Sequence, residues 1–301
     1  MSGIETLIAR DIFFAAQKPV ENFCLISAKS GVHVYRCTCG GLPAVAKYFE
    51  REGDRREILN YRILADCNVP TAAVYAAGAA SVVLEDISVS NEWRLGAEED
   101  MRDAEAASRL AGWYFVFHEN GAAFSQLDTL YFEYGIFTEK NFLLMINKFH
   151  EAEELFKYLI KNLGKLRGLI YSPGFTLTYN DFYWTNLFVK KDRTAAMMFD
   201  FNLMGRGYRY SDIRNVCSSL SEEAGKIFAG EYDRLYFEKH KKTRREEEAY
   251  EKKIDDGLSD VFSLMFAFLE KERVPEWAED IKKAAVDGRL LKKVESLVFD
   301  D

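Results

Sequence analysis

The sequence predicts an α+β protein of two lobes: a small antiparallel β-sheet with one helix, then a larger, mainly helical lobe. Three observations predict it. Short β-branched and aromatic runs separated by glycine turns fill the first third of the chain. Apolar residues recur at helical spacing through most of the remainder. One strand-like pair, between Phe175 and Phe201, interrupts that helical stretch.

Phe23 to Ser27 and Val32 to Thr38 read as the first two strands, with Lys29-Ser30-Gly31 as their turn. Cys39-Gly40-Gly41 makes a second turn, and Ala44 to Phe49 a third strand. Arg55 to Asp66 has Ile58, Tyr61 and Leu64 on one helical face. Val74 to Ala76 and Val82 to Leu84 complete the sheet. The composition then shifts, which sets the domains at 1–86 and 87–301. Helical spacing follows over Glu98 to His118, Glu139 to Leu163 and Ser219 to Phe237. Leu187 to Val189 and Ala195 to Phe199 flank the turn Lys190 to Arg193 and read as a hairpin. The stretch Glu238 to Lys253, dense in both signs of charge, reads as a solvated helix with pairs such as Arg244 with Glu248.

With 301 residues and 48% apolar content, the chain has ample material for a core. Its formal net charge of −8 argues against a nucleic-acid partner, which needs a basic footprint. The same charge suits a cationic small ligand, or solubility alone. No apolar run is long enough to span a membrane. Met1 to Lys18 lacks the basic-then-apolar order of a secretory signal. The odd set Cys24, Cys37, Cys39, Cys67 and Cys217 is no disulfide framework, so a cytoplasmic protein is expected. Cys37 and Cys39 are read as neighbours on opposite faces of a strand.

The segment from Tyr179 to Val189 carries the chemistry. Asp181 and Asn186 frame a short loop, and Asp200 closes the second hairpin strand. Pairing of the strands brings Asn186 and Asp200 together, with Asp181 beside them. Magnesium prefers hard oxygen ligands and takes few from protein. An Asn186 amide oxygen and an Asp200 carboxylate could hold it against nucleotide phosphates, leaving Asp181 to orient an acceptor hydroxyl. Asp and Asn five apart are also an ordinary capped turn. The upstream order raises the functional reading. Lys47 lies in the apolar strand Val45 to Phe49, and Glu57 on the next helix is its natural partner. A strand Lys paired to a helix Glu, ahead of an Asp…Asn…Asp set, is the protein-kinase arrangement. The Ser30-Gly31 turn would then cover the phosphates.

On these residues the chain resembles the aminoglycoside phosphotransferase family, over roughly Ser30 to Asp212, and its kanamycin-kinase branch above all. Ser30 to Arg36 is similar to the branch's phosphate loop. Val83 to Ile87 looks like its hinge, and Phe117-His118 takes the place of a recurrent Leu-His. Asp200, Gly205, Arg209, Tyr210 and Asp212 recur at that branch's spacing. The resemblance implies a two-lobed protein-kinase-like fold and an enzyme that phosphorylates an alcohol group, using ATP or GTP with Mg2+. It implies Asp181 as the catalytic residue and Asn186 and Asp200 as metal ligands. Ser30, Gly31, Lys47, Glu57, Glu85 and Ile87 would bind nucleotide, the last two at adenine. Asp212 would brace the catalytic loop. Tyr179-Asn180 stands where the family has His-Gly, and Tyr179 is expected to take over the packing role of that His. Position 202 is Asn rather than the branch's common Gly.

For the acceptor, Tyr183 and Trp184 could form an aromatic wall, and Asp255 and Asp256, with Asp260, an acidic trough. The same acids also fit the start of a helix, where the dipole favours them. Asp300 and Asp301 add a terminal acidic pair. The expected function is thus a small-molecule kinase with a small, cationic acceptor. The alternatives are a choline-, ethanolamine- or sugar-kinase-like enzyme, or a nucleotide-binding module with weak catalysis.

Overall fold

The computed structural model describes residues 3–271 and 274–299; Asp300 and Asp301 lie outside the described residues. In chain order the strands are β1 Val20–Lys29, β2 Val32–Cys39, β3 Leu42–Phe49, β4 Val74–Ala77, β5 Ser81–Glu85, β6 Trp93–Leu95, β7 Thr176–Thr178, β8 Leu187–Lys190, β9 Ala196–Met198 and β10 Gly205–Gly207. The helices are α1 Gly3–Ala16, α2 Arg56–Asp66, α3 Ala104–Gly121, α4 Glu139–Lys148, α5 Glu153–Lys161, α6 Leu163–Ile170, α7 Arg209–Ser219, α8 Glu222–His240, α9 Arg245–Leu269, α10 Glu279–Val286 and α11 Arg289–Phe299. They fall into two compact units. The first takes the chain up to Phe124, Tyr179–Met204 and Asn215–Lys239; the second takes Ser125–Thr178, Gly205–Arg214 and the chain from His240.

The first unit holds an antiparallel five-stranded sheet in the order β1-β2-β3-β5-β4. Its two hairpin turns need left-handed backbone at both central residues. Ser30 and Gly31 supply φ of 54° and 84°, Gly40 and Gly41 58° and 84°. Between them β2 and β3 pair without a slip, from Val32 opposite Phe49 to Cys39 opposite Leu42. An unbroken register sorts side chains by parity. Tyr35, Cys37, Cys39, Ala44 and Ala46 share one face and pack with Ile8 and Ile12 of α1. Lys47 therefore points to the opposite face, where α2 lies.

Two sequence readings change here. Cys37 and Cys39 share a face, because residues two apart on a strand point the same way. And the sheet carries a second helix, α1, pinned at the β4–β5 turn by Asp11, which accepts the Ala79 and Ala80 N–H groups at 2.9 Å.

The hairpin lies in the same unit. β8 pairs β9 with Leu187 opposite Met198, and β6 adds a third strand on the far side of β8. The helix expected over Glu98 to His118 is split: a 3-10 turn, Glu98–Arg102, ends where the Asp103 carboxylate caps α3. His118 is buried on α3, its Nδ1 2.8 Å from the Tyr232 hydroxyl.

In the second unit β7 and β10 form a two-stranded sheet. Its core gathers Phe142, Phe156, Tyr208, Leu258 and Met265. The helix expected over Glu139 to Leu163 breaks at Phe149, whose φ and ψ of −144° and 69° leave the helical region. Its ring is thereby stacked on Phe268 at 5.0 Å. The expected solvated helix over Glu238 to Lys253 is corrected too. α8 ends at His240, and Arg244, 3% exposed, pairs with Glu251 at 3.2 Å. Seven residues are two helical turns, so the pair lies along the buried face rather than the wet one. Among the described residues no helix is long and apolar enough to cross a membrane.

Candidate active site

Lys47 is the centre of the site in the first unit. Its Nζ lies 2.8 Å from Glu57 Oε1 and 2.8 Å from Asp200 Oδ1. Lys47 is 8% exposed and Glu57 only 1%, so both charges are out of water and neither is stable alone. Burial by itself would lower the Lys47 ammonium. The Glu57 and Asp200 carboxylates outweigh it and hold the amine charged, well above its ordinary range. Asp200 keeps about a third of its side chain in solvent, with 32% exposure, so the carboxylate also faces outward.

Asp200 sits with φ at 62°, left-handed backbone that Asp tolerates better than most residues. Four side chains hold the carbonyls around it. Tyr179 Oη donates to the Phe199 carbonyl. Asn60 Nδ2 reaches the Phe201 carbonyl at 2.7 Å, Arg56 Nε that of Asn202 at 2.6 Å, and Asn180 Nδ2 that of Leu203 at 3.0 Å. Phe201 itself is fully buried among the rings of Tyr61, Trp113 and Tyr179. Burial also keeps the Tyr179 phenol well above its usual range, so it remains a donor.

Asn186 ties the loop that begins at Asp181 to the segment before Asp200. Its carbonyl accepts from Phe199 N–H at 3.0 Å, continuing the hairpin ladder. Its side-chain nitrogen lies 3.3 Å from the Asp181 carbonyl and 3.5 Å from the Asp181 carboxylate, the second too long for a strong bond. The loop is backed by Gly96, whose N–H meets the Leu187 carbonyl at 2.6 Å. A Cβ at position 96 would come within 2.5 Å of the Trp184 carbonyl, so only glycine fits there. Phe182 is buried, while Tyr183 is 63% and Trp184 39% exposed.

The other predicted residues fall elsewhere. Ser30 and Gly31 form the β1–β2 turn, held to β3 by the Glu50 N–H on the Gly31 carbonyl at 2.9 Å. Glu85 ends β5 and Ile87 begins a 3-10 turn capped by Asp86, which also holds Arg36 at 2.8 Å. Asp212, Asp255 and Asp256 belong to the second unit. Asp212 is buried in the first turn of α7. Asp255 and Asp256 do not stand at a helix start; they lie well inside α9. Each has a base: Arg214 lies 3.0 Å from Asp255, Lys252 3.0 Å from Asp256, and Lys293 2.7 Å from Asp260. Asn60, Arg56 and Gly96 were passed over in the sequence reading, and Asn180 was named there without a role. Asn60 lies on the buried side of α2 with Glu57, Tyr61 and Leu64.

No family model matches the chain, and no curated protein matches it in sequence. Solved structures do match it in shape. An ethanolamine kinase from Plasmodium vivax superimposes with a TM-score of 0.60 at 14% identity, covering 92% of this chain and 84% of that one. A macrolide 2'-phosphotransferase from Brachybacterium faecium gives 0.60 at 12% identity, over 95% and 98%. An aminoglycoside phosphotransferase from Alicyclobacillus acidocaldarius gives 0.53 at 12%, over 98% and 94%. The chain has a kinase-like fold. Identities this low carry the fold and nothing finer.

Proposed function

We propose that this protein is a small-molecule kinase, transferring the γ-phosphoryl group of ATP or GTP to a hydroxyl of a small cationic acceptor. The observation that supports it most is Lys47 bridging Glu57 and Asp200 at 2.8 Å each. A buried lysine locked between a helix carboxylate and a loop carboxylate is what a phosphate grip needs, with its rotamer fixed before the nucleotide arrives. In this reading residues 1–86 are the nucleotide-binding lobe, and residues 87–301 carry the catalytic loop and the acceptor. Ser30 and Gly31 cover the phosphates, and the main chain at Glu85 and Ile87 meets the adenine.

The donor set fits magnesium. Asn186 turns its amide nitrogen toward Asp181, which leaves its Oδ1 as a ligand, and the Asp200 carboxylate is partly open to solvent. When bound, such an ion neutralises phosphate charge. Lys47 orients the phosphates. Asp181, half-buried beside Asn186, accepts the proton of the acceptor hydroxyl as the oxygen attacks phosphorus in line. The departing group is the nucleoside diphosphate, and no phosphoenzyme forms.

The acceptor trough read at Asp255 and Asp256, and with it the kanamycin-kinase branch, predicts a polyamine sugar. Exposed Tyr183 and Trp184 favour a second reading, a choline- or ethanolamine-like amino alcohol against an aromatic wall. An acceptor panel of aminoglycosides, amino alcohols and sugars, run with purified protein, nucleotide and magnesium, separates them. We expect magnesium-dependent transfer to one class. Nucleotide binding with no transfer to any acceptor would make the chain a binding module, and absence of nucleotide binding would refute the proposal.

A further inference from the structure

We infer that Asn60 and Arg56 are positioning residues for the nucleotide–metal site, through a clamp that binds the Asp200 segment to α2. The consequence for catalysis rests on the function proposed above; the clamp itself does not. Asn60 Nδ2 donates to the Phe201 carbonyl at 2.7 Å and Arg56 Nε to the Asn202 carbonyl at 2.6 Å. Both sit on the helix that carries Glu57. Thus one rigid helix holds the lysine partner and the backbone immediately after Asp200, the residue that shares that lysine.

The geometry explains why the clamp is needed. Asp200 has a left-handed φ of 62°, and a peptide segment in that conformation readily relaxes to an extended one. Relaxation would swing the carboxylate off Lys47. Tyr179 and Asn180 hold the Phe199 and Leu203 carbonyls from the catalytic-loop side. Asn60 and Arg56 hold two of the three carbonyls between, those of Phe201 and Asn202. Asn60 is 4% exposed, so its donor has no water to replace it, and without it the Phe201 carbonyl keeps only the longer bond from the Met204 N–H at 3.3 Å. Asn60 therefore matters more than Arg56, which is nearer solvent.

The test uses Asn60→Asp, which keeps the shape and turns a donor toward the carbonyl into an acceptor. Asn60→Leu serves as a second variant, and Ile63→Val on the same helix as a control for general loss of packing. Hydrogen–deuterium exchange is read over residues 199–204 and over β2–β3. ADP affinity is read with and without magnesium. We expect exchange in 199–204 to accelerate at least tenfold in Asn60→Asp with β2–β3 unchanged. The magnesium-dependent gain in ADP affinity should fall about tenfold, and metal-free ADP affinity less than threefold. Arg56→Gln should give the same pattern at a few-fold. Unchanged exchange in 199–204, or equal acceleration throughout the unit, overturns the clamp. An accelerated segment with an intact magnesium gain overturns the positioning role. A wild-type chain that binds no nucleotide refutes the proposed function and the positioning role together, and exchange still decides the clamp.

Discussion

Lys47 and the acid row of α9 are both made of carboxylates facing cations, yet they are built in opposite ways. At Lys47 one cation serves two carboxylates, and the residues come from positions 47, 57 and 200. On α9 each acid of that row has its own base: Asp255 with Arg214, Asp256 with Lys252, Asp260 with Lys293. The first arrangement leaves negative charge in excess beside a carboxylate open to solvent. That excess suits a cation that arrives with a ligand. The second sets one cation against each of its three acids and leaves no such excess. A run of acids in a sequence is therefore weaker support for a site than two acids far apart that share a lysine.

The comparison breaks most sharply at Asp181. Asp181→Asn should lower turnover by roughly two to four decades, the usual worth of a positioned general base, with ADP affinity retained. Steady-state kinetics and a thermal shift with ADP check the two halves. Turnover at the wild-type level would remove Asp181 from the mechanism. On α9, Asp256→Asn should leave turnover with small acceptors within about twofold, since Lys252 already screens that acid.

Next in size is Lys47→Met. It strands Glu57, 1% exposed, without its cation, and breaking a buried pair this way costs about 3–5 kcal/mol. Urea denaturation should show it directly. Replacing both partners, Lys47→Met with Glu57→Leu, should recover most of that stability while nucleotide binding stays lost. Recovery of stability without binding is the sign of a pair kept for function.

How much of this was legible beforehand follows from the same contrast. β1 to β5 and α2 could be read because glycine turns and parity patterns are local signals. The hairpin that joins Asn186 to Asp200 was legible for the same reason. α1 was not: Leu7, Phe13 and Phe14 leave apolar side chains exposed beside the buried Ile8 and Ile12, which blurs its helical face. β7 and β10 are three residues each, and two of those in β10 are glycine. The helix that breaks at Phe149 keeps its apolar spacing across the break, so periodicity could not show it. The clamp on Asp200 was hidden because Asn60 and Phe201 are 141 residues apart and the acceptor is a carbonyl, which every residue has.

The second unit offers a pH test that the sharing of Lys47 does not. Burial, then the nearby Asp212 and Asp255, push Glu133 up to about 8. Burial likewise pushes Asp255 up to about 6, against the pull of Arg214 and with Asp256 and Asp260 adding to it. Both folded values lie above those of the unfolded chain, so the native state holds the extra proton in between. Stability should therefore fall as pH rises, from pH 4 to 6 through Asp255 and from pH 5 to 8 through Glu133. Each carboxyl contributes a slope of at most about 1.4 kcal/mol per pH unit. Urea midpoints across that range check it: Asp255→Asn should flatten the lower part and Glu133→Gln the upper. A stability curve that rises with pH in both ranges would show these acids to be ionised and well paired.

The smallest effect sharpens the acceptor question. Lys293 and Asp260 are 51% and 37% exposed, and Lys252 and Asp256 are 53% and 57% exposed. Pairs this wet contribute about 0–1 kcal/mol and weaken with salt. Lys252→Ala with Lys293→Ala should therefore barely move the urea midpoint at 0.15 M salt. It does free two carboxylates. If those acids meet a cationic acceptor, its KM should fall about two- to fivefold at low salt, with turnover unchanged and the gain lost at high salt. If the acceptor is an amino alcohol held at Tyr183 and Trp184, KM should not move, and Trp184→Ala should raise it instead. The two variants thus assign the acceptor to the acid row or to the aromatic pair, using a change too small to disturb the fold.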